Sequence, residues 1–185
     1  VSRMGGGELG EKKARAIALL THALPGGVYV FQGEELGLPD APLSDADRQD
    51  PVFFRTKGVD KGRDGARVPL PWNSAQNNFG FTSGKPWLPI PANWIDKSVE
   101  AQKILNEENR LSFFRLYQKS LQLRKLFADS NFNWLIRSNE VIGFSRGSEY
   151  AIYSNTSGEE LQLSLPETFD SFEVMICSAP QEQLG

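Results

Sequence analysis

The chain has 185 residues, 39% of them hydrophobic and 23% charged, with a net charge of −3 at pH 7. That is enough apolar material for one core and a small satellite, and so weak an acidic balance excludes electrostatic attraction to nucleic acid or an anionic membrane. No apolar run approaches the ~20 residues needed to cross a bilayer, and the single cysteine, Cys177, permits no internal disulfide, which fits a reducing cytoplasm.

The first residues, Val1-Ser2-Arg3, carry neither an initiator Met nor a basic-then-apolar signal pattern, so they read as a chain entered midway. After the flexible Gly5-Gly6-Gly7, the segment Glu8 to Leu24 predicts a helix. Glu8 and Glu11 suit its positive end, and Ala14, Ile17, Ala18, Leu20 and Ala23 form a broad apolar arc. His22 lies within it as a packing or helix-surface residue. Pro25-Gly26-Gly27 stops the helix, and Val28–Phe31 follows as a short strand of the kind buried on both faces of a parallel sheet. A helix turning directly into such a strand is one step of an α/β fold.

From Gln32 to about Asn93 nothing is periodic. A loop of that length is functional or disordered as a rule. Its aromatic residues (Phe53, Phe54, Trp72, Phe79, Phe81 and Trp87) are costly to leave in water and argue for order. A long ordered loop just after a parallel strand is where α/β barrels place their binding sites. Ser98 to about Leu105 predicts a short helix with Ser98 as its cap. Asn109 to Phe127 predicts a longer one, with Leu111, Phe114, Tyr117 and Leu121 on one face.

After Ala128 the period becomes alternating. Phe132–Ile136, Val141–Arg146, Tyr150–Ser154, Leu161–Leu165 and Phe172–Ile176 are five strand candidates, separated by Ser-Asn, Gly-Ser, Ser-Gly and Pro turn signals. Short strands at this spacing predict a small antiparallel sandwich or half-sandwich, with the domain boundary near Asp129.

Three segments in order resemble one family. Pro25-Gly26-Gly27 leading into Val28–Phe31 and Gly33-Glu34-Glu35 resembles the eighth barrel strand of α-amylase-family enzymes (glycoside hydrolase family 13). Gly62-Arg63-Asp64-Gly65-Ala66-Arg67-Val68-Pro69-Leu70-Pro71-Trp72 resembles the loop after that strand in α-glucosidases and oligo-1,6-glucosidases. Val99-Glu100-Ala101-Gln102 and the helix ending Leu121-Gln122-Leu123-Arg124 resemble the eighth barrel helix. The resemblance implies an α/β fold: residues 1–128 as the C-terminal part of a (β/α)8 TIM barrel, from its seventh helix to its eighth, and 129–185 as an antiparallel β domain. Val1-Ser2-Arg3 looks like the residues that follow the family's Asn-His-Asp motif, which would put all three catalytic carboxylates upstream of this chain.

Retaining glycoside cleavage needs a carboxylate nucleophile and a carboxylic acid ~5–5.5 Å apart. Glu34 and Glu35 are rejected for that pair, because neighbours on an extended strand point to opposite faces. No catalytic residue is therefore expected here, and the 185-residue chain alone is expected to be inactive. By the resemblance, Arg63 holds the non-reducing glucose together with an upstream Asp, and Arg67 lines the site for the next sugar. A guanidinium supplies the rigid fork of donors that sugar hydroxyls accept. Glu35 and Asp64 are expected to be structural residues near the site. Phe31, Phe53, Trp72 and Phe79 are assigned to the loop core rather than to sugar platforms.

The expected partners are an α-gluco-oligosaccharide and the upstream part of the same barrel. No metal-ligand spacing or phosphate loop occurs, and no cofactor is implied. Two alternatives stay open. One is a sucrose- or trehalose-converting transglycosylase, and the other is a non-catalytic barrel relative serving as a subunit or sugar-binding module.

Overall fold

Gly7–Ala23 forms the first helix, α1, in a computed structural model that describes residues 1–107, 110–127, 129–163 and 171–179. The chain packs as two compact units. One consists of Val1–Ala14 with Val30–Arg115, and the other of Arg15–Tyr29 with the chain from Leu116 onward.

In the first unit the aperiodic stretch is built of short turns rather than long elements. Glu34–Leu36 is a 3-10 turn held between two left-handed glycines, Gly33 at φ 87° and Gly37 at φ 61°. A Cβ on Gly37 would lie 2.5 Å from the Phe113 ring, so both the backbone and the neighbour demand glycine there. The single turn α2, Pro51–Arg55, starts where the sequence supplies its own signal: Asp50 caps the Val52 N–H at 3.0 Å and Pro51 needs no partner.

α3, Val99–Ile104, begins at Ser98, whose hydroxyl accepts the Ala101 N–H at 3.2 Å. Asn106–Glu107 (β1) and Arg110–Leu111 (β2) make a minimal antiparallel pair. The core here is mostly aliphatic with one aromatic ring: Ala41, Leu43, Val68, Leu88 and Trp94 are buried, with Leu38 and Ile90 against them.

The long helix, α4, is Phe113–Arg124 and continues as a 3-10 turn over Lys125–Phe127. It starts later than the pattern predicts, because Ser112 accepts the Arg115 N–H at 3.2 Å and caps it there, after β1 and β2. Asn109, the predicted start, lies outside the described residues.

The second unit holds a three-stranded antiparallel sheet in the order β3 (Phe132–Arg137), β4 (Val141–Arg146), β5 (Tyr150–Asn155). Trp134 pairs with Phe144 and Phe144 with Ile152, and the register shifts by a bulge between Trp134 and Ile136. Phe144 joins Ala23 and Phe127 in the core, flanked by Leu20, Leu123, Phe132 and Tyr150.

The last carbonyls of α1 have no partners within the helix, and two arginines take them up. Arg124 donates to the carbonyls of His22, Leu24 and Gly26. Arg146, buried in β4, donates to Ala23 and to Phe127, each at 2.7 Å. Cations at a helix C-terminus also meet its negative pole.

Two strand expectations are corrected. Val28–Phe31 forms no strand, since no described segment pairs with it, and Tyr29 stands 96% exposed. Apolar character alone gives no ladder; a strand exists through its partner's N–H and C=O groups. Phe172–Ile176 is likewise unpaired, with Phe172 exposed. Of the remaining candidate, Leu161–Leu165, residues 161–163 are not strand and the rest lies outside the described residues.

Candidate functional site

The loop that carries Arg63 and Arg67 is held by two buried carboxylates. Asp64, 1% exposed, accepts the N–H groups of Gln49 at 2.7 Å and Asp50 at 2.8 Å through one oxygen. Asp50 in turn accepts from Val52 N–H, from Arg63 N–H at 3.0 Å and from the Arg67 guanidinium at 2.9 Å. Those donors, the Val52 and Arg63 amides first and Arg67 after them, hold the Asp50 carboxyl below its ordinary value of 3.8 despite burial. The chain therefore folds back on itself around two anions, and five donors with no ladder to join are satisfied.

The two arginines differ in what this does to them. Arg67 has one nitrogen committed to Asp50 while the rest of its side chain stays 42% exposed. It lines an open cleft of about 410 Å³ with Phe31, Gln32, Pro69, Phe81 and Trp87. The Trp87 indole N–H donates to the Arg67 carbonyl at 3.3 Å, and the Gln32 amide to the Val68 carbonyl at 3.4 Å. Arg63 is anchored only through its backbone. Its guanidinium is exposed and has no hydrogen bond or ion pair among the described residues. The structure therefore brings Arg67 to the cleft, while Arg63 is not among the residues that line it and its guanidinium has no partner among the described residues.

Glu34 and Glu35 lie in the 3-10 turn rather than on an extended strand, so the reason given for rejecting them as an acid pair is corrected. Each carboxylate is spent locally instead: Glu35 accepts Gly33 N–H at 2.8 Å and Glu34 accepts Phe31 N–H at 3.3 Å.

Two of the aromatic assignments are also corrected. Phe31 and Trp72 are about half-exposed rather than loop core; the buried cluster is built from Ala41, Leu43, Val68, Leu88 and Trp94 instead. Phe53 is partly buried under Arg48 and Lys61, and Phe79 is partly buried.

Two residues that brace these loops are given no role by the sequence pattern, although Gln102 lies in the Val99–Gln102 segment quoted above. Gln102 is buried. Its amide nitrogen donates to the Leu36 carbonyl at 2.7 Å, and its amide oxygen accepts Phe114 N–H, in the first turn of α4, at 3.0 Å. It thus ties the Glu34–Leu36 turn to the start of α4. Asp50 was legible in principle, since Asp-Pro is the start signal of a helix. Among the described residues no group of three or more His, Cys, Asp or Glu is placed to hold a metal ion. No helix among them is long and apolar enough to cross a membrane.

Residues 1–129 match the family described as alpha amylase, catalytic domain, and the chain belongs to that family. It is 29% identical to a glucan 1,6-alpha-glucosidase of Streptococcus pneumoniae over 85% of this chain and 33% of that protein. It is 34% identical to a probable alpha-glucosidase of Rhizobium meliloti over 83% of this chain and 28% of that one. Among solved structures, an alpha-glucosyl transfer enzyme, XgtA, is 35% identical with a TM-score of 0.67, covering 79% of this chain and 27% of its own. Trehalose-6-phosphate hydrolase of Bacillus licheniformis is 26% identical with a TM-score of 0.69, covering 91% and 34%. The chain thus spans about a third of the length of the relatives it matches.

Proposed function

We propose that this chain is the C-terminal portion of the barrel, with the following β domain, of a retaining α-glucosidase. The enzyme releases glucose from the non-reducing end of α-linked oligosaccharides. The observation that carries the reading is the cleft on the Arg63–Arg67 loop, set in a chain whose relatives bear α-glucosidase names. Arg63, with its donors uncommitted, holds the terminal glucose alongside a carboxylate from elsewhere in the protein. Arg67, braced by Asp50, bounds the second sugar. Asp64 and Glu35 shape the loop and touch no substrate. The nucleophile and acid come from the part of the protein that this third does not supply, and no redox cofactor enters the mechanism. The lone Cys177 fits a cytoplasmic setting.

A second reading has one observation in its favour: the transfer enzyme is more similar, at 35% identity, than the trehalose-6-phosphate hydrolase at 26%. Product analysis separates the two, since transfer yields longer or isomerised sugars where hydrolysis yields free glucose.

The pure 185-residue chain should release no p-nitrophenol from p-nitrophenyl α-glucoside. Steady release that an α-glucosidase inhibitor abolishes would show that the acids lie within it after all. In the natural protein carrying this sequence, Arg63→Ala should lower kcat/KM on isomaltose about tenfold or more, because a charge-assisted bond is worth roughly 1.5–3 kcal/mol. A variant near wild type would remove the loop from the glucose pocket.

A further inference from the structure

Asn78-Phe79-Gly80 turns the chain through three successive left-handed residues, at φ 51°, 53° and 72°. Glycine takes this backbone freely. An aromatic residue takes it against its own Cβ, and such strain persists only where the surroundings enforce it.

Here they do. The Phe79 carbonyl accepts from Trp72 N–H at 2.9 Å and from Asn73 N–H at 3.0 Å, and the Phe79 N–H donates to Gln76 at 3.1 Å. Phe81 N–H closes the turn on the Asn78 carbonyl at 3.0 Å. The Asn78 amide donates onward to the carbonyls of Gly84 at 2.7 Å and Thr82 at 3.1 Å. A Cβ on Gly80 would run into the Asn73 amide, and its φ of 72° is one that side chains adopt only under strain, so both favour glycine there.

The residue delivered by this turn is Phe81. Its ring lies in the cleft with Arg67 and Trp87 and remains about half-exposed. Trp87 is fixed there by its indole hydrogen bond to the Arg67 carbonyl. Phe81 has no polar handle, so the backbone of the turn sets its place. Strain and an exposed phenyl ring both cost free energy. The C–H face of a pyranose offsets the second cost by covering the ring.

We propose that Asn78–Gly80 is a positioning device for Phe81, and that Phe81 determines specificity by packing on the second sugar ring of a two-ring α-glucoside, the ring that departs as leaving group. The inference rests on the reading of the cleft given under Proposed function.

The test compares isomaltose with α-glucosyl fluoride in the natural protein carrying this sequence. The fluoride's leaving group is one atom and cannot reach Phe81. Phe81→Ala should raise the isomaltose KM about fivefold or more with kcat changed by less than about twofold, and should depress the isomaltose-to-fluoride ratio of kcat/KM accordingly. Phe81→Tyr should restore that ratio. Asn78→Gly keeps the left-handed backbone accessible and removes the two amide bonds, so it should shift the ratio in the same direction by less.

If Phe81→Ala and wild type share one ratio while Arg63→Ala still loses activity, the cleft reading stands and this inference is wrong. If the wild-type protein cleaves neither substrate, the reading and the inference fall together.

Discussion

The loop from Glu34 to Arg67 and the region around the end of α1 solve one problem with opposite charges. In the loop, unpaired backbone N–H groups converge on carboxylates: Asp64, Asp50 and Glu35 among them accept from Gln49, Asp50, Val52, Arg63 and Gly33. At the end of α1, unpaired carbonyls converge on guanidinium groups, with Arg124 and Arg146 taking those of residues 22, 23, 24 and 26. Irregular backbone that leaves water must find partners, and a charged side chain that accepts or donates several times is the most compact source. The sign of the charge follows from which backbone group the chain leaves over. The sheet of β3, β4 and β5 needs no such help, because its own ladder pairs both.

The comparison breaks most visibly at Arg146. Arg146→Met keeps volume but strands the carbonyls of Ala23 and Phe127, and should cost about 3–6 kcal/mol at two charge-assisted bonds of roughly 1.5–3 kcal/mol each. The urea midpoint reads it. A variant within about 1 kcal/mol of wild type would mean that the carbonyls find other partners.

Asp64→Asn retains one acceptor and loses the charge, so the cost should be smaller, about 1–2 kcal/mol. Hydrogen exchange at the amides of Gln49 and Asp50 should rise, while that of the β4 amides stays as it was. Equal loss of protection in both places would deny that the loop has its own brace.

The smallest effect sharpens the contrast through pH. His22 is 3% exposed, with its ring 2.8 Å from the Ser120 hydroxyl and edge-on to Tyr117. Burial, and then the nearby Arg124 charge, lower its pKa from 6.5. The unfolded chain therefore binds a proton first, so stability is full above 6.5 and declines as pH falls toward the lower folded value. Asp50 is also lowered, so its contribution is full above 3.8 and is lost only as pH falls through its folded value. Acid should weaken the α1–α4 packing around His22 well before it loosens the loop. Urea midpoints between pH 8 and 3 should show the first decline near His22's range, absent in His22→Gln. An imidazole that titrates above 6.5 by NMR would reverse the sign.

Local rules carried the helices and the sheet. Gly7–Ala23, Val99–Ile104 and the three strands from Phe132 to Asn155 lie within a residue or two of their predicted spans, because capping and periodicity act over a few neighbours. The start of α4 was legible less well. Its true cap, Ser112, competes with an apolar pattern that runs on past it, and a sequence pattern does not weigh one against the other. The motif Arg63-Asp64-Gly65-Ala66-Arg67 named both arginines of the candidate site, but it gave no means to tell a committed guanidinium from a free one.

The sequence by itself determined the family, the helical and alternating stretches and the residue types on the loop, since each rests on composition, spacing or a short contiguous motif. Only the tertiary structure decided which carboxylate meets which amide, that the guanidinium of Arg67 rather than that of Arg63 is tied to Asp50, and that Phe81 is held in the cleft by a left-handed turn. Among the described residues it also left Val28–Phe31 and Phe172–Ile176 without ladders. Those outcomes depend on groups far apart along the chain arriving within 3 Å or so of one another, and a distance of that kind is a property of the folded backbone, not of any window of residues.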